Sequence, residues 1–465
     1  NMRKYPVGIQ TFAELIREGY IYVDKTDLVW QLAHYAKYIF MSRPRRFGKS
    51  LLTSTLHSYF SGQKELFKGL AIEKMEREWI QYPVLHFSLA SAKRGTVEDL
   101  NAQLRLQLEW AAQEYHVDLP ESDVTVGFLS LVKSLYLKTG KQVVVLIDEY
   151  DAPLLTVLHD SERLEPMRTE LQSFYSPLKD LDPYLRFVFI TGISKFSQLS
   201  IFSQINNLKN ISMNPKYASI CGITEREMMD NFQEGIAELG KANNMSKDEV
   251  LAQLKRKYDG YHFAYNSEGV YNPFSLLSAM DDSAFNNYWF STGTPTFLVK
   301  MMKRFHTDLT KLDGSEAGAD DFDAPTENMK NIIPLLYQSG YITIKDYNPV
   351  SKNYKLDIPN NEIQAGLMES LLPNYVHEYA DEGSAMVGDM YEALYYEDLD
   401  EMFSLLQAYL LTVPYCDNAN SEGHYQQLLY VIFSLFGRYV DVEVHTPTGR
   451  VDIVMKTAKA LYLFE

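Results

Sequence analysis

The segment from Ser42 to Ser50 carries the residue types of a phosphate-binding loop. It lies between an apolar, strand-like run and a helical pattern that starts at Leu51. Such a loop needs backbone N–H groups at a helix N-terminus, a lysine that reaches the outer phosphates, and a hydroxyl that holds magnesium. Gly48 and Lys49, followed by the serine, supply these groups. The spacing therefore predicts binding of a nucleoside triphosphate.

The loop departs from the usual pattern at its first position. The pattern G-x-x-x-x-G-K-[ST] places a glycine where this chain has Arg43. By motif alone, a solvated basic loop before a helix stays open as the alternative. The arginines of the loop are candidates for phosphate contact or for action across a subunit boundary, and the sequence does not choose between these roles. The residues predicted to form the phosphate site are Arg43, Arg45, Arg46, Phe47, Gly48, Lys49, Ser50 and Leu51.

A second signal lies about 100 residues further along the chain. The apolar run Val143–Ile147 ends in Asp148 and Glu149, which is typical of a buried parallel strand whose carboxyl end faces a ligand. We expect Asp148 to hold magnesium together with Ser50, and Glu149 to orient and deprotonate the attacking water. A strand that simply ends in solvated acids is the alternative. Asp151, just beyond, is predicted to be an exposed turn acid.

The elements that must position these residues form an alternation of apolar runs and amphipathic helical patterns, which predicts a parallel α/β sheet. The predicted strands are Tyr38–Ser42, Val84–Leu89, Val143–Asp148, Phe187–Thr191 and, weakly, Leu208–Ser212. In the additional-strand class of P-loop ATPases, a strand after the acidic one is inserted in mid-sheet, and its terminal polar residue senses the γ-phosphate. Thr191 is that candidate here, with Ser194 and Lys195 close enough to contribute.

Helical signals replace the strand pattern after about residue 220. Thr224 and Glu227 have the spacing of a capping box. Asn272-Pro273 and Thr294-Pro295 each place a capping residue before a proline suited to a first helical turn. Residues 307–328 carry many acids separated by glycine and alanine, so we expect a solvated loop or linker there.

The remainder of the chain predicts a hairpin, more helices and a small sheet. Tyr341–Tyr347 and Tyr354–Ile358 form the hairpin, helical patterns run from Glu362 to Leu411, and a helix and three strand-like runs follow Gly423. These patterns divide the chain into an α/β domain at 1–220, a helical middle region at 221–375 and a C-terminal domain at 376–465.

The amino-acid composition of the chain argues against several classes of function. The chain has 465 residues and a net charge of −17, which argues against coating of nucleic acid by the whole surface, although a local basic groove stays open. Cys221 and Cys416 are too few for a disulfide framework, so we expect a reducing cytoplasm. Asn1–Gln10 has no apolar signal core, and the apolar runs fall short of the roughly 20 residues of a membrane span. The scattered histidines predict no structural metal.

Several segments together resemble a known family. They are Tyr5–Phe12, Gly19–Thr26, Ser42–Ser50, Asp148–Asp151, Thr191–Phe196, Tyr258–Tyr261, Tyr271–Pro273 and Ser291–Pro295. The chain is similar, nearly from end to end, to the AAA-ATPase-like proteins abundant in gut bacteria. That family commonly has an arginine at the first glycine position of its phosphate loop, so Arg43 agrees with the resemblance.

The resemblance implies an ATP- and Mg²⁺-dependent P-loop ATPase followed by a PD-(D/E)XK nuclease-like domain. Sites of this class often take an arginine from a neighbouring subunit, so a homo-oligomer is an expectation, and no arginine here is assigned that role. A PD-(D/E)XK site holds magnesium through an Asp on one strand and an acid two residues before a Lys on the next. Asp452 and Glu465 match the two metal ligands, with Glu422 or Glu443 as an additional acid. The alternative is that they are strand-end acids without a metal.

The lysine of that pattern would fall two residues after Glu465, so the nuclease-like domain of this chain is expected to be incomplete and not a competent nuclease. Two roles follow for the whole protein. In one, ATP turnover controls the action of the C-terminal domain on DNA or RNA. In the other, the protein is a nucleotide-gated switch or interaction protein whose nuclease-like domain is inactive.

Overall fold

The computed structural model describes residues 3–195, 201–293, 296–305, 307–323, 331–371, 380–411, 421–438, 442–447 and 453–465. Three sheets contain all the strands of these ranges. The strands are β1 (Tyr38–Ser42), β2 (Val84–Ser88), β3 (Val143–Asp148), β4 (Leu185–Gly192), β5 (Lys209–Asn210), β6 (Ser315–Gly318), β7 (Thr343–Asn348), β8 (Asn353–Asp357), β9 (Val442–His445), β10 (Ile453–Thr457) and β11 (Leu461–Phe464).

The first sheet has the order β2-β3-β4-β1-β5, and every neighbouring pair in it is parallel. The continuous apolar runs of β1 and β3 are buried along their whole length, as expected for strands covered on both faces. The predicted strands are confirmed, with β2 one residue shorter at its end, β4 longer by two residues at its start and one at its end, and the weak fifth strand reduced to two residues. Because β4 lies between β3 and β1, the predicted inserted strand is also confirmed.

Helices flank this sheet. In the first part of the chain they are α1 (Phe12–Arg17), α2 (Thr26–Tyr35), α3 (Lys49–Phe60), α4 (Val97–Glu114), α5 (Val124–Thr139), α6 (Ala152–Val157), α7 (Ser161–Tyr175) and α8 (Pro177–Asp180). Helix α3 starts directly after the phosphate-loop segment and packs on β2, β3 and β4. It therefore fixes the loop at the carboxyl edge of the sheet.

The middle region is mainly helical, as predicted. Its helices are α9 (Glu225–Asn231), α10 (Gln233–Asn243), α11 (Lys247–Tyr258), α12 (Pro273–Asp282), α13 (Tyr288–Ser291) and α14 (Thr296–Arg304). The capping box of Thr224 and Glu227 is present, and the Asn272 side chain caps α12 by accepting from the Ser275 amide. The predicted cap at Thr294-Pro295 lies outside the described residues. Apolar residues of α9 to α12 form a small core of their own.

The acidic segment 307–328 is more ordered than predicted. It contains β6 and helix α15 (Ala319–Asp323), and Leu312, Ala317 and Phe322 are buried. Strand β6 pairs antiparallel with β8, which also forms the predicted hairpin with β7. The expectation of a wholly solvated loop is wrong for this part, because a few widely spaced apolar residues suffice to hold an edge strand whose acids face water. Residues 324–330 lie outside the described ranges.

The C-terminal part begins with a short helix before the hairpin and continues with longer ones. These helices are α16 (Ile333–Gln338), α17 (Asn361–Leu371), α18 (Ala380–Tyr395), α19 (Leu399–Leu410) and α20 (Ser421–Leu435). Helix α17 packs against α20, and α20 packs against β9. Strands β9, β10 and β11 form an antiparallel sheet with β10 in the centre.

One hydrophobic cluster of buried residues extends from Phe12 near the N-terminus to Met455 on β10. The parallel sheet and the small C-terminal sheet are therefore connected through packed side chains. In the part of the chain that the structure describes, every helix is too short or too polar to be a candidate for crossing a membrane.

Candidate functional site

The loop between β1 and α3 presents a helix N-terminus at the edge of the sheet. Gly48 precedes the helix with a φ of +94°, a left-handed conformation that glycine adopts without steric cost. No side chain caps this N-terminus, so its first-turn N–H groups remain directed at the loop. Arg43 does not have a positive φ, so the backbone does not require glycine at the first position of the motif. The geometry is that of an anion-binding loop.

The Lys49 side chain makes hydrogen bonds across this loop. Its ammonium donates to the carbonyl oxygens of Arg43 at 3.0 Å and Pro44 at 2.8 Å, which leaves one of its three N–H groups for a ligand. The side chain is buried, and burial lowers the pKa of the Lys49 ammonium, while the nearby carboxylates of Asp148 and Glu149 oppose that shift. The two carbonyls thus hold the Lys49 side chain inside the loop.

Ser50 and Asp148 meet at the same edge. The Ser50 hydroxyl donates to Asp148 Oδ2 at 2.6 Å, although the two residues lie 98 positions apart. Asp148 Oδ1 is buried and accepts no hydrogen bond from the described residues. Burial raises the pKa of this carboxyl, and the serine and Lys49 partly offset the rise. An orphaned carboxylate oxygen beside a hydroxyl fits a hard, oxygen-preferring cation such as Mg²⁺.

Glu149 has a strained backbone. Its φ of +51° lies in the left-handed region, where a non-glycine residue costs roughly 1–2 kcal/mol. Burial and the adjacent Asp148 raise the pKa of the Glu149 carboxyl, which moves it toward the range suited to a general base. Strain of this kind persists only where the surroundings hold it, so the turn after β3 fixes the backbone of Glu149, and its role as the base stays a prediction.

Asp151 is not the exposed turn acid that the sequence predicts. Only 1% of its surface is exposed, and its carboxylate accepts from the backbone N–H and the hydroxyl of Ser194, each at 2.8 Å. A Cβ on Gly192 would lie 2.5 Å from this carboxylate, which explains why glycine follows Thr191. The bonds tie the turn after β3 to the segment after β4, so Asp151 positions the neighbouring Glu149.

Thr191 lies at the end of β4, between the acidic strand and the loop strand. Its side chain is fully buried, and its hydroxyl donates to the carbonyl oxygen of Met41 at 2.8 Å. The carbonyl of Thr191 in turn accepts from the Tyr150 N–H. The residue therefore connects β1 with the turn that carries Glu149. Its action as a γ-phosphate sensor stays a prediction.

Arg43 supports the loop from behind. Its guanidinium donates to the carbonyl oxygens of Ser42, Ser212 and Tyr217, and it lies 4.2 Å from the ring centre of Phe263. Burial lowers the pKa of this group. Both terminal nitrogens of Arg43 donate to backbone carbonyls, whereas its buried Nε has no partner among the described residues. The contacts indicate a positioning role, and the phosphate contact of Arg43 stays a prediction.

The other loop side chains contact aromatic residues of the middle region. Arg45 stacks on Trp289 at 4.0 Å, and the Trp289 indole N–H donates to the Arg45 carbonyl at 2.8 Å. Arg46 is exposed and lies over a phenylalanine ring, and the buried Phe47 packs edge-on against two further rings. We call Tyr261, Phe263, Phe274 and Trp289 the aromatic clamp.

Sequence reasoning assigned no role to the aromatic clamp. Two of the segments that carry the family resemblance, Tyr258–Tyr261 and Tyr271–Pro273, end at Tyr261 and directly before Phe274. Aromatic residues at helical or strand spacing usually belong to the hydrophobic core. Only the fold therefore shows that the aromatic clamp contacts the phosphate loop. The arginines of the phosphate loop therefore make cation–π contacts with the aromatic clamp.

The clamp is anchored to a buried acid. Glu362 on α17 is fully buried; its carboxylate accepts from the Ser275 hydroxyl at 2.7 Å and from the backbone N–H of Trp289 at 3.0 Å. Burial raises the pKa of Glu362 to about 7, against the bonds to Ser275 and Trp289, which lower it. Glu362, with a pKa near neutrality, therefore contacts Trp289, which in turn contacts the phosphate loop.

Because of Glu362, the free energy of unfolding should decrease as the pH rises from 4.5 to 7. In that window the folded protein keeps a proton that the unfolded chain has released, so the free energy of unfolding decreases as the pH rises, by about 3 kcal/mol in total. Urea unfolding of the wild type and Glu362→Gln at pH 5 and 7.5 tests this. The loss between the two pH values should shrink in Glu362→Gln and not in the exposed control Glu401→Gln; equal losses in all three proteins would contradict it.

The predicted metal ligands of the C-terminal sheet are only partly described. Asp452 lies outside the described residues. Glu465 is exposed and follows Phe464, which pairs with Ile453 on β10. Glu443 is exposed on β9, and the side chain of Glu422 is not described. Among the described residues no group of three acids, histidines or cysteines could hold a metal. The nuclease-like site therefore stays a prediction.

The all-parallel sheet with an inserted strand, the loop ending in Gly-Lys-Ser and the acidic pair after β3 define a P-loop protein of the additional-strand class. Residues 6–202 match the family model described as predicted AAA-ATPase, and residues 420–465 match that of the PD-(D/E)XK nuclease superfamily. The chain is 35% identical over 475 residues to an uncharacterized protein in the vnfD 5′ region of Azotobacter chroococcum mcd 1, across 100% of this chain and 89% of that protein. The chain belongs to the AAA-ATPase-like family.

Proposed function

We propose that this protein binds ATP with Mg²⁺ and hydrolyses it, and that its nucleotide state controls a C-terminal domain that acts on nucleic acid. The observation that carries the first part is the junction of Ser50 with Asp148 beside the buried Lys49 and the strained Glu149. These are the groups that phosphoryl transfer requires: a cation for the phosphates, oxygen ligands for a metal and a base for water.

The residues of the site have separate roles in the proposed binding and hydrolysis of ATP. The first-turn N–H groups of α3 and the free N–H of Lys49 bind the phosphate oxygens. Ser50 and Asp148 hold Mg²⁺, which when bound neutralises negative charge on the outer phosphates. Glu149 accepts a proton from the attacking water, and burial together with the neighbouring Asp148 raises the pKa of its carboxyl, which strengthens it as a base. Asp151 and Thr191 keep the turn that carries Glu149 in place.

Control of the C-terminal domain is supported by a continuous set of contacts. The loop residue Arg45 stacks on the Trp289 ring, and the backbone N–H of Trp289 donates to the carboxylate of Glu362, which lies on α17. Helix α17 packs against α20, which belongs to the nuclease-like segment. A nucleotide that rearranges the loop therefore acts on a chain of packed groups that ends in the C-terminal domain. The nuclease-superfamily match supports nucleic acid as the substrate class of that domain.

Replacing Trp289 by phenylalanine should weaken this coupling. The substitution keeps a ring beside Arg45 and removes the indole N–H that binds the Arg45 carbonyl. We expect Mg²⁺-ATP to increase hydrogen-exchange protection of α17 and α20 in the wild type, and at least half of that increase to be lost in Trp289→Phe, with ATP affinity unchanged within about threefold. The matched control is Trp110→Phe, an exposed tryptophan on α4. Full protection in Trp289→Phe would contradict the proposed route.

A further inference from the structure

A pocket at the amino edge of the parallel sheet lies opposite the phosphate loop. Its empty volume is about 420 Å³ including its open mouth. Its lining includes Tyr59 and Phe60 at the end of α3, Tyr82 just before β2 and Arg186 at the start of β4. Because α3 has 12 residues, it is about 18 Å long, and the pocket lies at the end remote from Lys49. It is therefore separate from the proposed nucleotide site.

The aromatic wall of the pocket is held by its neighbours. The half-buried Trp79 packs against Tyr59, with ring centres 5.8 Å apart, and against Phe67 at 5.2 Å. Its φ of +48° is rare for a bulky residue, and Gly62 lies so close that a Cβ there would be 2.9 Å from the Trp79 carbonyl oxygen. The tryptophan ring is thus pre-organised, and a flat group can stack on a wall of this kind.

A cation already lies over two rings of the pocket. The Arg186 guanidinium is 5.3 Å from the ring centre of Phe60 and 5.7 Å from that of Tyr82. Among the described residues it donates one hydrogen bond, from Nη1 to the Ala33 carbonyl at 3.4 Å, so further N–H groups of Arg186 can bind a ligand. Because Arg186 occupies these rings, a second cation is disfavoured.

Acceptors border the same pocket. The Glu76 carboxylate is engaged by the Tyr59 hydroxyl, the Trp30 indole and two backbone N–H groups. The side chain of Glu78 is exposed and has no partner in the described part of the chain. The His34 Nδ1–H donates to the Trp30 carbonyl at 2.7 Å, which leaves Nε2 of the neutral ring as an acceptor. The two acids disfavour an anion, so the fitting ligand is a flat, neutral group with both N–H donors and acceptors.

We infer that this pocket binds a guanine base. Guanine is flat, and its ring N–H and amino group lie side by side, so both can donate to one carboxylate such as that of Glu78. Its O6 and N7 atoms accept from a guanidinium such as that of Arg186. Adenine has an acceptor nitrogen in place of the ring N–H, which would face the carboxylate without a proton. Free guanine nucleotides and unpaired guanines of single strands both carry this base.

Guanosine and adenosine, which lack phosphates, test the pocket apart from the phosphate loop. Calorimetric titrations use the full chain with Mg²⁺ and a non-hydrolysable ATP analogue. We expect guanosine to bind at least tenfold more tightly than adenosine. Glu78→Gln should lose at least tenfold in guanosine affinity, because an amide offers one acceptor to two donors, and the exposed control Glu65→Gln should stay within twofold. Equal affinities for the two nucleosides, no binding of guanosine, or an unchanged affinity in Glu78→Gln would overturn the inference.

Tryptophan fluorescence locates the bound base. Guanosine should quench the emission of the wild type, and most of that quenching should be lost in Trp79→Phe and kept in Trp110→Phe, which changes an exposed residue of α4. Full quenching in Trp79→Phe would overturn the placement of the base in this pocket.

An RNA hexamer of uridines with one central guanosine distinguishes the two sources of the base. Glu78-dependent binding of the hexamer that is tighter than that of guanosine would support the pocket and assign it to single-stranded nucleic acid. Glu78-dependent binding of guanosine without binding of the hexamer would support the pocket and assign it to a free guanine nucleotide. Equal affinity for the hexamer in the wild type and Glu78→Gln, with guanosine unbound, would overturn the inference.

Discussion

Lys49→Met should abolish tight binding of ATP. The methionine keeps the buried stem of the side chain and removes the ammonium that spans the loop. A hydrogen bond from a charged donor contributes about 1.5–3 kcal/mol, so loss of the contact between the remaining N–H of Lys49 and a phosphate oxygen predicts a decrease in affinity of roughly 10- to 100-fold. Since the carboxylates of Asp148 and Glu149 oppose the lowering of the Lys49 pKa by burial, removing the ammonium also leaves the buried Asp148 and the half-buried Glu149 without this cation.

Calorimetric titration with Mg²⁺-ATP measures this loss, and Lys68→Met, an exposed lysine of the same domain, is the control. Thermal unfolding shows whether the variant remains folded, because Lys49 also holds the carbonyls of Arg43 and Pro44. A folded Lys49→Met protein with wild-type affinity for ATP would show that the nucleotide does not bind at this loop.

Glu149→Gln should separate binding from turnover. Glutamine has nearly the same shape, so the turn after β3 and the affinity for ATP are expected to stay within a few-fold of the wild type. An amide cannot accept the proton of the attacking water, and loss of a general base lowers the rate by typically 10²–10⁴-fold. The strained φ of Glu149 and its burial next to Asp148 fit a side chain held for this one task.

Single-turnover release of phosphate measures the rate, and binding of ATP to the same preparation confirms that the site is filled. Glu121→Gln changes an exposed acid of the same domain and should turn over normally. Turnover by Glu149→Gln at half the wild-type rate or more would remove Glu149 from the chemistry and direct attention to Asp151, the next carboxylate along the turn.

The sequence predicts the sheet and the core of the site because both depend on local patterns. The run Val143–Ile147 is apolar at every position, so it must be buried on both sides, and the acids that follow it must lie at a strand end. Gly48 marks the start of α3 in the same way. Once β1, which leads into the loop, and β3 are parallel strands with their carboxyl ends at the same edge, Ser50 and Asp148 lie close together.

The remaining features depend on partners that are distant in sequence. Trp289 lies 244 residues from Arg45, and no periodicity connects the two. Asp151 is buried because Ser194, 43 residues later, folds back onto it. An isolated acid before a proline gives no sign of this. Phe322 packs within an acidic segment whose composition alone favours solvent.

The most direct test of ATP hydrolysis at this site is Mg²⁺-dependent release of phosphate from ATP by the wild-type protein, measured with and without DNA or RNA, with Glu149→Gln as the blank. We expect release that requires Mg²⁺, is absent from the blank and rises when nucleic acid is added. Release that persists in Glu149→Gln, or no release from a wild-type protein that binds Mg²⁺-ATP, would contradict ATP hydrolysis at this site.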